Sequence, residues 1–420
     1  MVSRWLCSVF WIQFCLCLGC FIVLPVRAAE YVITPSVKVR ETYDDNVYFR
    51  NVDDFKHLIS PALKLDGRTD RARWQATCAW DITEYQYHDE LDSVDQTYRL
   101  SATVSPSTLL QLNISGHYVD DYTFASTLEE SGLLAERSRR SSATMQPGAV
   151  FILDSRNTLE FSYEFNKSRY ELESYPGYVV HGLNLMWFHN LTNERTRIIY
   201  VLSGNQTDFK GNKDYYFEED DGNFAQKKAN VRQRTYRFLT GMDHQLTETF
   251  RVSVKAGAHF TEAEFPSFQW IAYDLASDTF IMVYDIEKKS DTGFILDGAL
   301  TWHLELITLS ASINRDVTPS IYGENITRDR VSAALRYRLS EKLRCSLNTA
   351  YYHSKTESFT QKQEYQTYSI RPALIYRFTE NINLELSYAY TRTKNEITDQ
   401  SEDRNCFFVQ LSTAWPSTID

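Results

Sequence analysis

Beyond residue 30 the chain has no apolar run approaching the roughly 20 residues that a membrane helix needs. It is nonetheless 43% apolar over 420 residues, with a mean hydropathy of −0.41. If it spans a membrane it must do so as a closed barrel, because helices and closed barrels alone satisfy every backbone group in lipid. Alternating strands hide a lipid face behind an ordinary hydropathy. Glycine is scarce, at 15 residues, and no glycine-marked repeat near 40 residues is present, which argues against a β-propeller. Of seven cysteines, Cys7, Cys15, Cys17 and Cys20 lie in the first 28 residues. Cys78, Cys345 and Cys406 are dispersed, with neither metal spacing nor a disulfide framework, and read as buried or lipid-facing thiols. There is no P-loop, no dinucleotide fingerprint, no nucleophile motif and no metal constellation, so no cofactor is expected. The net charge of −11 makes nucleic acid a poor partner.

What the N-terminus does carry is Arg4, an apolar stretch from Trp5 to Val26 and the small-residue site Val26-Arg27-Ala28 before Ala29. This pattern predicts a secretory signal peptide over 1–28 and a mature single domain over 29–420. Loss of Arg4 and Arg27 takes the charge from −11 to −13. A lipoprotein site at Leu18-Gly19-Cys20 fits less well, since Cys17 stands where a leucine is wanted. Pro25 and the Ala28 site argue against a retained anchor helix.

From about residue 31 to 415 the chain alternates with a period of two. Ile382, Leu384, Leu386, Tyr388 and Tyr390 share one face; Asn383, Glu385, Ser387, Ala389 and Thr391 share the other. Leu159, Phe161, Tyr163 and Phe165 oppose Glu160, Ser162, Glu164 and Asn166 in the same way, and 250–259 and 331–340 repeat the pattern. Some eighteen such segments follow one another, joined alternately by long connections (42–54, 87–94, 120–141, 170–177, 207–229, 262–291, 317–327, 357–364 and 394–405) and by tight ones such as Thr379-Glu380-Asn381. The expected fold is an all-β, transmembrane, antiparallel up-and-down barrel of about 18 strands, with short turns and both termini on the periplasmic side. Aromatics make up 14% of the chain. Tyr351, Tyr352, Tyr388, Tyr390 and Trp302 fall near strand ends, where interfacial girdles are expected.

The segment Tyr43-Asp44-Asp45-Asn46-Val47-Tyr48, followed by Leu58-Ile59-Ser60-Pro61-Ala62-Leu63, resembles the start of a family of outer-membrane β-barrel porins often found with exopolysaccharide biosynthesis and export systems. The resemblance implies an outer-membrane barrel without catalytic residues.

With the apolar faces outward, strand parity points Arg73, Arg99, Arg251, Lys255, Arg336, Arg338, Arg371 and Arg377 into the lumen, with Glu160, Glu164, Asp297 and Glu385. These charges read either as a basic wall that draws an anionic solute or as arginine–carboxylate pairs closing a wet interior. The 30-residue connection 262–291 holds Phe265, Phe268, Trp270, Tyr273, Phe280 and Tyr284. It is expected to fold inward as a constriction, the alternative being an exposed apolar hairpin. Acidic pairs and runs (Asp44-Asp45, Asp53-Asp54, Asp120-Asp121, Glu218-Glu219-Asp220-Asp221 and Glu402-Asp403) crowd the long connections. They read as a solvated rim, or as carboxylates bridged by divalent cations to lipopolysaccharide. A rim hydrolase would have to be built from His88 with Asp89, His117 with Asp120, or His353 with Ser354, while His189 and His244 lie near short turns. The expected role is passage of a polar solute or a polysaccharide across the outer membrane of a Gram-negative cell. Partners are outer-membrane lipid and lipopolysaccharide, the barrel-assembly machinery, a polysaccharide cargo and a periplasmic export partner. A structural or adhesive barrel with a plugged lumen is the alternative.

Overall fold

A computed structural model describes residues 30–123, 136–192, 195–210, 214–218, 224–228, 230–274, 279–319, 325–356 and 363–419. Residues 1–29, which hold the expected signal peptide, lie outside them. The described residues form twenty-one strands: β1 (Glu30–Asp44), β2 (Asp54–Arg68), β3 (Ala72–Tyr85), β4 (Ser93–Val104), β5 (Leu110–Tyr122), β6 (Arg139–Ile152), β7 (Asn157–Tyr170), β8 (Tyr178–Asn190), β9 (Thr196–Phe209), β10 (Asp214–Glu218), β11 (Phe224–Lys228), β12 (Val231–Gln245), β13 (Phe250–Asp274), β14 (Thr279–His303), β15 (Ile307–Pro319), β16 (Asn325–Arg338), β17 (Leu343–Thr356), β18 (Gln363–Arg377), β19 (Ile382–Asn395), β20 (Gln400–Ala414) and β21 (Ser417–Ile419).

Eighteen of them, β1–β9 and β12–β20, each pair antiparallel with the next, and β1 pairs with β20 to close the ring. Closure removes the two unpaired edges that an open sheet would expose to lipid. β10 and β11 form a small hairpin within a long connection, and β21 continues β20 past Pro416 against the foot of β1. Glu30, Ile419 and the short turns lie at one end of the barrel, and the long connections lie at the other, because each strand runs the full height before turning back.

Parity is uniform. Val39, Ile59, Leu100, Leu183, Leu202, Ile313, Val331, Leu335, Ile370 and Leu386 are exposed on the outer wall. Aromatics frame this aliphatic belt. Tyr43 with Phe55 and Tyr351 with Tyr368 lie toward the long-loop end, with ring centroids 5.1 and 4.7 Å apart. Trp302 with Phe250 and Tyr376 with Phe378 lie toward the short turns, at 6.0 and 5.0 Å. The eight residue steps from Tyr368 to Tyr376, on a strand tilted as barrel strands are, span roughly 20 Å of height, close to the thickness of an apolar band. Tyr352, expected in a girdle, is instead buried on the lumenal side with the Arg330 guanidinium 5.2 Å from its ring centre. Cys78 and Cys345 sit on the outer face and Cys406 on the inner; none of the three is in a disulfide among the described residues.

The connection 262–291 is not a loop. β13 and β14 run on as one ladder to Asp274↔Thr279, with a single register shift between Phe268 and Trp270. β13 leaves its neighbour β12 at Glu264, and β14 meets β15 only from Leu296. The ten residues beyond Glu264 therefore project by about 33 Å. Beyond the wall the ribbon packs against β10, which lays Tyr216 beside Val283. Among the described residues it makes no packed face across the lumen.

Candidate functional site: the barrel lumen

The inner wall is built from the polar half of each strand. Arg73, Arg99, Arg251, Lys255, Arg336, Arg338, Arg371, Arg377, Glu160, Glu164, Asp297 and Glu385 all alternate with exposed outer residues and so face inward. Their surroundings differ. Lys255 Nζ lies 3.2 Å from Asp297 across the β13–β14 pair, and Arg251 donates to Asp243 at 2.7 Å. Arg377 donates to the Glu341 carbonyl at 2.9 Å, and Arg338 to that of Glu305 at 3.5 Å. These two thus hold short turns rather than carboxylates. Arg336 makes no ion pair among the described residues, and neither do Glu160, Glu164 or Glu385. β7 and β18 lie nine places apart in the ring of eighteen, so Glu160 and Glu164 look across the lumen at Arg371 and Arg377.

Arg371 also borders a recess of about 530 Å³ in the β14–β18 wall, with Ser310, Ser312, Ser332, Asn348 and Arg330. Arg330 was not among the residues singled out from the sequence. Its parity was available, but nothing local marked it.

The residues expected to form a constriction are divided. Phe265 is buried, with Lys289 Nζ 5.2 Å from its ring centre. Phe268, Trp270, Tyr273 and Phe280 are exposed, Phe280 to 77%. Tyr284 pairs edge-on with Phe268 at 6.0 Å. The inward-folded loop is therefore replaced by a two-stranded projection, since the segment has enough β-branched and aromatic residues to extend the ladder.

What narrows the long-loop end is elsewhere. Asp44 is 3% exposed and receives Arg404 on both oxygens at 3.0 Å. Asp45 accepts from the backbone and side chain of Asn405, both at 2.7 Å, and Asn46 donates to the Asp403 carbonyl at 2.6 Å. Three consecutive residues at the end of β1 and just past it thus grip three consecutive residues of the closing strand. The chain then turns under, burying Val47 and Phe49. Tyr48, Phe49 and Asn51 take left-handed backbone angles with φ of 55°, costly for the two aromatics. Asp54, 1% exposed, accepts from the Phe55 and Tyr87 amides and bonds His88 Nδ1 at 2.8 Å. Roughly opposite, Arg237 of β12 reaches Asp316 and Asn205, and Gln233 accepts from the Asn325 amide at 2.8 Å, enclosing Ile326 completely.

The acidic rim is thus largely occupied. Asp120 and Asp121 are taken by Arg139 and Arg140, and Asp403 is near Arg392. The side chains of Glu218-Glu219-Asp220-Asp221 lie outside the described residues. No group of three His, Cys, Asp or Glu fit for a metal occurs among the described residues. His88 bonds Asp54 rather than Asp89. His353 bonds Glu364 at 2.8 Å and faces away from buried Ser354, while His117 points into the lumen across from Arg99. The geometry thus gives His88 and His353 carboxylate partners, Asp54 and Glu364. His189 and His244 bond Asn157 and Thr196 beside the short turns.

Residues 285–414 match the family model Putative beta-barrel porin 2. The match covers the wall from within β14 to the end of β20, not the first hairpin that carries the sequence resemblance. No curated protein matches the chain. Among solved structures, the outer membrane protein OpdK from Pseudomonas aeruginosa is similar at 11% identity, covering 92% of this chain and 99% of that one, with a TM-score of 0.46. The ferric citrate transporter FecA in its unliganded form is similar at 10% identity, covering 93% and 80%, with a TM-score of 0.47. The copper transporter OprC gives 10%, 90% and 65%, with a TM-score of 0.49.

Proposed function

We propose that the protein is an outer-membrane pore of a Gram-negative cell that lets a polar solute or a polysaccharide pass without covalent chemistry, in the setting of exopolysaccharide export. The supporting observation is the closed eighteen-strand ladder whose inner face carries charged and polar side chains on most of its strands. Barrels of this size enclose an aqueous channel unless something fills it. On this reading the short turns face the periplasm and the long loops face outward. Lumenal charges then bias which solutes enter.

Single-channel recording of the refolded barrel in a planar bilayer tests the proposal. Discrete, ohmic steps are expected, and their reversal potential in a salt gradient reports the charge preference. A folded barrel that stays silent would favour the plugged, structural reading. The observation behind that alternative is the inturned Val47–Phe49 segment and the Ile326 cluster at the long-loop end.

A further inference from the structure

At the short-turn end, Arg68 of β2 stands directly across from Arg73 of β3 on the lumenal face. Arg338 of β16 stands directly across from Arg344 of β17 in the same way. Like charges opposite each other on neighbouring strands repel and destabilise the pair, so one such pair is a cost and two at the same level form a pattern. None of these four arginines, nor Arg71 in the β2–β3 turn, forms an ion pair among the described residues. Arg338 makes only its long bond to the Glu305 carbonyl. Arg68, Arg71 and Arg73 frame a recess of about 540 Å³, completed by Thr103, Ser105 and Gln111. Glu30 and Asp70 also line it, and neither carboxylate comes within ion-pair distance of the guanidiniums. Arginines at the other end, by contrast, are held by Asp44, Asp120, Asp121 and Asp208.

We propose that the Arg68–Arg71–Arg73 recess is an oxyanion-binding entry site at the short-turn mouth, with the Arg338–Arg344 pair as a second station. The ligand class is a soluble solute bearing phosphate or carboxylate groups. Guanidiniums bind both in bidentate fashion, and an anion between two opposed arginines converts their repulsion into attraction. The lumenal direction of Arg68 and Arg73 excludes a lipid headgroup as the occupant. The site rests on the pore reading for its role but not for its existence.

The test uses oriented single channels in a zwitterionic bilayer, with tripolyphosphate added to one side. Block is expected from the short-turn side at a concentration at least tenfold lower than from the long-loop side. The triple variant Arg68→Gln/Arg71→Gln/Arg73→Gln should raise the blocking concentration at least tenfold, and Arg338→Gln/Arg344→Gln by less. Arg315→Gln, whose guanidinium pairs with Asp329, should leave it unchanged. Equal block from both sides, or block untouched by the triple variant, overturns the site. The triple variant should unfold at the same temperature as the wild type or higher, since a repulsion is relieved; a lower temperature would make these arginines structural and overturn the proposal. If the barrel does not conduct, calorimetric titration of the detergent-folded protein with tripolyphosphate decides. Binding lost in the triple variant supports the site although the pore reading falls, and no binding by the wild type removes the site.

Discussion

The two ends of this barrel use most of their arginines differently, although Arg251 beside the β12–β13 turn is paired with Asp243. At the long-loop end guanidiniums are buried or half-buried against carboxylates: Arg140, 8% exposed, lies on Asp121, and Arg404 lies on buried Asp44. At the short-turn end Arg68, Arg73 and Arg344 stand in the lumen without ion pairs among the described residues, and Arg338 and Arg377 spend a donor on turn carbonyls. The difference is one of accounting for charge. A buried guanidinium must be matched inside the protein, whereas a lumenal one is matched by whatever the water brings. The first kind builds structure and the second is left free for solute.

The sharpest way to break that comparison is at the seam. Asp44→Ala leaves Arg404 enclosed and uncompensated where β1 meets β20, and removing one partner of a buried pair costs about 3–5 kcal/mol. The variant should lose resistance to urea in lipid vesicles by that amount, followed through tryptophan fluorescence. The lumenal substitution Arg73→Gln should lose nothing in the same assay. Equal losses would erase the distinction between the two ends.

Next in size is the ribbon. Replacing 266–286 by a tight turn removes only residues beyond the level at which β13 leaves β12. The barrel ladder should survive, and single-channel conductance should stay at the wild-type value. A clear rise would mean that the aromatics of this segment do reach the lumen, as the sequence alone suggested.

How much could be read in advance follows from what alternation encodes. All eighteen wall strands were legible because each has one apolar and one polar face, and the loop lengths placed their ends. The β13–β14 extension was not, because alternation fails where a ribbon has apolar residues on both faces: Ile281 and Val283 are buried while Phe280 and Met282 are exposed. Parity also assigns a face without a height. Arg336, Arg338, Arg371 and Arg377 therefore read alike as parts of a basic wall, although Arg338 and Arg377 hold turn carbonyls. The grip of Asp44, Asp45 and Asn46 on residues 403–405 joins positions some 360 apart in sequence, and no local pattern announces it.

A smaller effect separates the turn-holding arginines from the free ones. Arg377→Gln removes a charge-assisted bond to the Glu341 carbonyl, worth about 1 kcal/mol in an exposed setting. It should speed amide exchange at Lys342 and Leu343 while leaving tripolyphosphate block within twofold of wild type. Were block to weaken as much as in the Arg68/Arg71/Arg73 variant, Arg377 would belong with the solute-facing set.

The smallest effect lies in the turn between β6 and β7, outside the membrane-spanning wall. Asp154 accepts from the Asn157 side chain at 2.8 Å and from the amides of Arg156 and Asn157 at 2.7 and 2.9 Å. Those donors favour the ionised form and hold its carboxyl below the usual carboxylate range, the Asn157 side chain most of all. A depressed folded pKa contributes stability that is present above the unfolded value of about 3.9 and is lost as pH falls through the folded pKa. The stability difference between wild type and Asp154→Ala should therefore be constant near neutrality, shrink below about pH 4, and close once the carboxyl is protonated in both states. Melting temperatures across that range check it. A difference that persists in acid would show that the turn is held by packing rather than by the carboxylate.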